Sequence, residues 1–286
     1  MGKATALFSV IFPANVLYLT SFLDSLSKQT DQDFDVLLVV DGVDDIDVRL
    51  KKHALSFSVK TFHCTGSIAE IRRQGLKWLG TLSYTNVIFQ DADDLLHDDR
   101  VFVCKKYLAQ YNVVVNDLVP FTDQGLMGGS GFWENRLQHE TEFSQTDIQT
   151  CNFVGLGNTA VRTSVINEIH IPDQIKVVDW FLFYHWLDES PGIFIHDGKV
   201  LYRQHDHNLA GLQVVSVERL RNIVDVKLVH YASLVQRFSE LMPMLQESEH
   251  LKLKLKDARF AQKSVDYLNT KRINYFWWEE TEYLHE

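Results

Sequence analysis

Cysteine is scarce in this chain: Cys64, Cys104 and Cys151 are the three among 286 residues. They have no paired spacing and no ligand pattern beside them. That argues against a disulfide framework and fits reduced core thiols of an intracellular protein. Long apolar runs are missing as well, and none is long enough to span a bilayer. The first seven residues lead straight into a strand-like run without the apolar core of a signal peptide. The expectation is a soluble, cytoplasmic chain. Positive charge is in deficit, with 28 Lys and Arg against 38 Asp and Glu and a net charge of −10. Such a balance argues against an electrostatic nucleic-acid footprint. A polyphosphate ligand would need local positive charge or a metal to offset that overall field. Internal repeats and low-complexity segments are absent too.

What is present is ordinary globular material, 45% hydrophobic and 23% charged, enough for a sizeable core. Strand-like and helix-like segments alternate through the first third. Strands are predicted at 7–12, 34–40, 56–63 and 86–90, with helices at 17–28, 44–55 and 67–79. The 17–28 helix rests on the apolar spacing of Leu19, Phe22, Leu23 and Leu26. This β-α order predicts an α/β chain with a doubly wound parallel sheet, which binds ligands beyond the carboxyl ends of its strands. Pro13, Asp41 and Asp91 all fall at such ends. Further on, a helix is predicted at 97–111 and strands at 113–119 and 153–161. A short helix follows at 164–169, then an aromatic-rich one at 178–187. Residues 193–196 and 200–202 read as a hairpin through Asp197-Gly198. From 214 onward the chain reads as helical. The irregular stretch 122–150 contains Gly128-Gly129-Ser130-Gly131, which has no following Lys-Ser/Thr and so is no phosphate loop. It reads instead as a lid that closes over a bound ligand to exclude water.

The chemistry centres on Val87-Ile88-Phe89-Gln90-Asp91-Ala92-Asp93-Asp94, an apolar β run that ends in three carboxylates. Like charges this close disfavour one another's ionisation unless a cation intervenes. Hard carboxylate oxygens suit Mg²⁺ or Mn²⁺, which bind through one or two carboxylates together with phosphate oxygens. Taken alone, the stretch fits a solvated Asp-rich turn with an N-cap equally well.

In order along the chain, these pieces resemble nucleotide-sugar-dependent glycosyltransferases of the A-type fold, and in particular glycosyltransferase family 2, over about residues 6–211. Phe12-Pro13-Ala14-Asn15 stands where family members carry a Pro-x-x-Asn-like turn. Val39-Val40-Asp41-Gly42 stands for the strand that ends in aspartate. Gly66 to Gly75 loosely matches a Gly-x-x-x-Ala-Arg-Asn-x-Gly helix start, and Asp91-Ala92-Asp93-Asp94 matches the Asp-x-Asp metal motif. Asp179-Trp180 matches an acidic residue before Trp, and Tyr202-Arg203-Gln204-His205-Asp206-His207-Asn208 a late Tyr-Arg-x-His-x-x-Asn motif. The family's asparagine is Arg73 here, and its doubled aspartate is single at Asp41.

The resemblance implies a Rossmann-like, mostly parallel sheet flanked by helices. It implies a catalytic domain over 1–211, with a nucleotide-binding half (1–95) and an acceptor half (96–211), followed by a helical extension (212–286). It also implies transfer of a sugar, with inversion, from a nucleoside-diphosphate donor, UDP-sugar favoured, to a carbohydrate or lipid-linked acceptor in surface polysaccharide or glycoconjugate synthesis. Mn²⁺ or Mg²⁺ would be held by Asp93, with Asp91 and His205. Pro13, Asn15, Asp41, Arg72, Asp91 and Arg203 would contact the donor, and Asp179 would be the general base. Some have a plainer reading: Asp41 as a turn residue, Arg72 and Arg73 as solvated helix-face charges, Asp94 and Asp179 as helix caps. Among the aromatics Trp180, Phe181 and Phe183, Asp179 would be partly desolvated and a better base. The tail could dock on the catalytic domain, form a homodimer, or touch the inner face of a membrane through Leu251 to Lys256. Tyr275-Phe276-Trp277-Trp278 points to docking. Two other classes compete. A nucleotidyltransferase would want a Gly-rich, Lys-containing turn after the first strand, which Phe12-Pro13-Ala14-Asn15 lacks. A non-catalytic nucleotide-sugar-binding module would keep the fold without transfer.

Overall fold

The computed structural model of the chain describes residues 3–127, 131–166, 169–205 and 214–271, together with 281 and 284. Gly128 to Ser130, His207, Asn208 and Tyr275 to Trp278 lie outside the described residues. Strands β1 (Thr5–Ile11), β2 (Asp35–Val40), β3 (Val59–His63) and β4 (Asn86–Phe89) form the parallel half of the sheet, in the order β3-β2-β1-β4. Every residue of β1 is buried. A strand covered on both faces must be apolar throughout, which explains its near-continuous hydrophobic run.

The sheet continues through β9 (Thr159–Arg162), β6 (Val113–Thr122), β10 (Gly192–Arg203) and β5 (Leu95–Leu96). Short strands β7 (Gly125–Leu126) and β8 (Thr141–Phe143) pair with β6 and β10. β9 runs antiparallel to both of its neighbours, whereas β6 and β10 are parallel.

Helices close both faces. Side chains alternate along each strand, so Ala6, Phe8 and Val10 face one layer and Leu7 and Ile11 the other. The first layer holds α3 (Ile68–Gly80), α5 (Val178–Trp186) and part of α6 (Val217–Leu234). The second holds α1 (Leu19–Ser27), α2 (Ile46–Leu50) and α4 (Arg100–Leu108). Leu19, Phe22, Leu23 and Leu26 are all buried on α1, as their spacing predicted; each such side chain contributes about 1.5–3 kcal/mol. Val226, Tyr231 and Leu234 of α6 join the main core. Its Leu220 and Val224 pack instead with α7 (Met242–Lys254) and α8 (Ala258–Lys271). No described helix is long and apolar enough to cross a membrane.

Several sequence expectations change. The predicted hairpin at 193–202 is one strand, parallel to β6 at 193–195 and again at 200–203. Between Ile195 and Val200 it advances five residues while β6 advances two, from Asn116 to Leu118. Gly198, at φ +60°, absorbs the excess in a bulge. The strand predicted at 153–161 begins only at Thr159. Before it, Leu156–Asn158 forms a 3-10 turn, because the Asn158 amide donates to the Asn116 and Phe153 carbonyls and accepts from Gly155 N–H. Helix 17–28 starts later, after a 3-10 turn at Pro13–Tyr18, and helix 44–55 shrinks to α2.

Candidate active site

A cavity of about 630 Å³ opens beyond the carboxyl ends of β1, β2 and β4, the place where open α/β sheets present ligand sites. One wall is made by residues of the turns that follow those strands. Phe12 and Asn15 come after β1, Asp41 after β2, and Asp91 and Asp93 after β4. Pro13 opens the 3-10 turn that carries Asn15 and does not itself line the cavity. Arg72 enters from α3, whose first turn is capped by Ser67 accepting the Glu70 N–H at 3.2 Å. The opposite wall holds Asp179, Trp133, Asn152, Phe153 and the 3-10 turn with Gly155 and Gly157.

Long-range pairing assembles the acidic turn. Leu95-Leu96, directly after it, pairs antiparallel with Val200 and Leu201. That brings Arg203 N–H to Asp94 Oδ1 at 2.8 Å and His205 Nε2 to Asp93 Oδ2 at 3.0 Å. The three carboxylates therefore take different partners. Asp91 Oδ1 lies 3.4 Å from Arg72 Nη2. Asp91 is 40% exposed, into the cavity, yet the enclosing walls raise its pKa, burial outweighing the pull of Arg72. Asp94 is buried, and burial together with Asp93 and Asp91 pushes its carboxyl well above the usual range. It caps no helix, since the N-cap of α4 is Asp99.

Beneath the turn lies Arg100, fully buried at the start of α4. It donates to the Phe89 carbonyl at 3.0 Å and to the Gln90 side chain. A buried guanidinium costs several kcal/mol unless paired; here it anchors the last residues of β4 and sets positive charge beneath the acidic turn. Sequence reasoning missed it, because an Arg in a charged segment reads as solvated.

Arg203 also takes an unforeseen setting. Its guanidinium lies between Tyr18 and Phe121, 4.4 and 4.5 Å from their ring centroids, and donates to the Asp93 carbonyl and to Asp123 Oδ1. Arg203 thus braces the acidic turn from behind. Tyr18 in turn stacks on His205 at 5.7 Å. Arg73 donates to the Ile171 carbonyl and pairs with Glu70, away from the cavity.

Asp179 occupies the first turn of α5 without being its cap, which is Val177. Its Oδ1 accepts the Trp180 N–H at 2.8 Å. A helix N-terminus favours a carboxylate, but burial outweighs this and pushes Asp179 up to about 6. Gly157 lets the backbone approach the acidic turn: a Cβ there would lie 2.5 Å from Asp91 Oδ2.

A divalent cation fits this site on donor chemistry. Asp93 and His205 already converge at 3.0 Å, a carboxylate and an imidazole suited to Mn²⁺. Among the described residues no three His, Cys, Asp or Glu side chains form a ligating group. The remaining ligands would come from phosphate and water, as is usual for such ions.

Sheet order and the cavity at the strand ends fit the A-type glycosyltransferase fold that the sequence led us to expect. Comparison with solved structures agrees. S. aureus TarS aligns at TM-score 0.58 and 17% identity, covering 82% of this chain and 40% of that one. TarS 1–349 in complex with UDP aligns at TM-score 0.62 and 14% identity, covering 93% and 92%. GalNAc-T7 with UDP, GalNAc and Mn²⁺ aligns at TM-score 0.55 and 13% identity, covering 78% and 47%. The sequence matches no protein-family model and no curated protein.

Proposed function

We propose that the chain is an inverting glycosyltransferase of the family-2 kind, which moves a sugar from a nucleoside diphosphate, UDP favoured, to an acceptor hydroxyl. One observation carries this reading: a single cavity is lined by Asp41, Arg72, Asp91, Asp93 and His205 on one side and by a desolvated Asp179 on the other. The known structures of this fold include complexes with UDP, with UDP-GlcNAc, and with UDP, GalNAc and Mn²⁺.

Asp41, Asn15 and Arg72 would bind the nucleotide and its diphosphate. Asp93 and His205 would hold Mn²⁺ or Mg²⁺, with Asp91 turned towards Arg72 beside them. When bound, the cation supplies positive charge to the diphosphate as the glycosidic bond breaks. Asp179 accepts the proton of the acceptor hydroxyl. That oxygen attacks the anomeric carbon opposite the diphosphate, whose oxygen leaves with the bonding electrons, and configuration inverts. Arg203, braced behind Asp93, keeps the acidic turn in place and adds positive charge to it. The division into a nucleotide-binding half (1–95), an acceptor half (96–211) and a helical extension (212–286) accompanies this reading, as does a cytoplasmic role in surface polysaccharide or glycoconjugate synthesis.

The test is a panel of nucleotide sugars offered to wild type and Asp179→Asn. Wild type is expected to hydrolyse or transfer from one of them, with the variant losing turnover while calorimetry shows donor binding retained. Unchanged turnover in Asp179→Asn would remove the base assignment. Binding without turnover in wild type would leave a sugar-nucleotide-binding module.

A further inference from the structure

The helical extension meets the site at two neighbouring residues. His230 and Tyr231 sit side by side on α6, both buried. His230 Nε2 accepts a hydrogen bond from the Val177 N–H at 3.2 Å. Val177 is the N-cap residue of α5, two positions before Asp179, and its own side chain makes no capping bond. The Tyr231 hydroxyl donates to the Gln149 carbonyl at 2.9 Å, and Trp180 Nε1 donates to the adjoining Ile148 carbonyl at 2.6 Å. The Trp180 ring packs against both α6 residues, 5.2 Å from His230 and 5.4 Å from Tyr231. A single turn of α6 thus grips the start of the helix bearing Asp179. It also grips the segment that leads into the wall at Asn152 and Phe153.

Only a neutral imidazole can accept at Nε2. Burial lowers the His230 pKa to about 3, so the ring stays neutral across the working range. N–H groups at a helix start have no partner within the helix, and an acceptor supplied from another element fixes where that start lies.

We propose that α6 is a positioning element of the active site: His230, by accepting the Val177 N–H, sets the first turn of α5 and hence the aim of the Asp179 carboxylate, while Tyr231 sets the adjoining wall. This rests on Asp179 acting as the base. The extension is then part of the catalytic apparatus, and His230 acts through Asp179 without touching substrate.

The experiment uses the full chain with His230→Leu, His230→Gln and Tyr231→Phe. Gln carries a carbonyl oxygen close to the position of Nε2, whereas Leu has no acceptor. We expect His230→Leu to lower kcat about ten- to a hundredfold, the scale of a misplaced catalytic group, with donor KM within twofold of wild type. His230→Gln should recover most of that loss. Amide hydrogen exchange should speed up at 177–181 in the Leu variant and not in the Gln variant. Tyr231→Phe, which removes one hydroxyl and keeps the ring, should speed exchange at 148–150 and lower kcat several-fold. The inference is overturned if the Leu and Gln variants match in kcat and exchange, if exchange rises with no change in kcat, or if kcat and donor affinity fall in proportion. Should wild type transfer no sugar from any donor, the proposed function fails. The contrast in exchange between the Leu and Gln variants then decides the tether alone: equal exchange sinks it.

Discussion

The two walls of the cavity are built in different ways. On the wall formed by β1, β2 and β4, each polar residue lies within a few residues of the end of its own strand: Asn15, Asp41, Asp91 and Asp93. Parallel pairing sets the strand ends, and the turn after β4 is completed by the antiparallel β5–β10 pairing together with Arg100, Arg203 and His205. On the other wall, Asp179 stands on a helix packed against Ile148, Gln149, His230 and Tyr231, drawn from segments about 30 and 50 residues away. The first wall is held by strand pairing and by side chains from the strand ends, the second by contacts between helices and loops. Substitutions should therefore act locally on one side and at a distance on the other.

The largest effect is expected at the far wall. Asp179→Asn should lower turnover by about 10²–10⁴-fold, the range for loss of a general base, with donor affinity unchanged in calorimetry. On the near wall, Asp93→Ala should weaken Mn²⁺-dependent binding of nucleoside diphosphate by roughly 1.5–3 kcal/mol, the scale of a lost charged contact. Equal affinity with and without metal in wild type would defeat that prediction. Together the two variants separate binding from chemistry, one wall each.

How much of this was legible in sequence follows the same division. The strands that run into Asp41 and Asp91 could be read from local apolar runs stopped by carboxylates, and the parallel order β3-β2-β1-β4 bears out the doubly wound reading. Asp179 was visible only through its resemblance to a motif, because one aspartate before a run of aromatics reads first as a cap. Arg203 and Arg100 could be seen as residues but not placed. Whether an arginine faces a phosphate, two aromatic rings or a buried carbonyl depends on pairings such as Leu95 with Leu201, which no local window holds. His230 gave no signal at all, since its hydrogen-bond partner lies 53 residues away.

Two glycines test the division by packing. Gly75 lies where α3 crosses the sheet, and a Cβ there would come within 2.8 Å of Phe8 and 2.9 Å of Val39. Gly75→Ala should cost about 1–3 kcal/mol of stability by overpacking, read as a lower denaturation midpoint, with kcat per folded molecule unchanged. Gly157→Ala should do the reverse. Its Cβ would press on Asp91 Oδ2, so turnover should fall about tenfold, as for a misplaced active-site group, with a smaller change in stability. A large stability loss at Gly157 with full specific activity would show that the turn is a packing feature.

The smallest effect concerns the stability cost of keeping Asp179 where it is. Its pKa is raised from 3.8 to about 6 by burial, against the pull of the Trp180 N–H. The unfolded chain therefore releases this proton first, and between about pH 4 and 6 it binds fewer protons than the folded one. Stability from this group is fully present below pH 4 and is lost as pH rises through 6, the opposite of an ion-paired aspartate. Because the side chain keeps some access to the cavity, the loss should be about 1–2 kcal/mol, less than the full shift would give. Asp179→Asn retains an acceptor for Trp180 N–H without the charge. Relative to wild type it should gain that amount in denaturant unfolding at pH 7.5 and nothing at pH 4, while wild-type kcat falls on the acid side with a midpoint near 6. A stability difference that does not vary with pH would put the carboxylate in water. The far wall would then lack the desolvated base on which its chemistry depends.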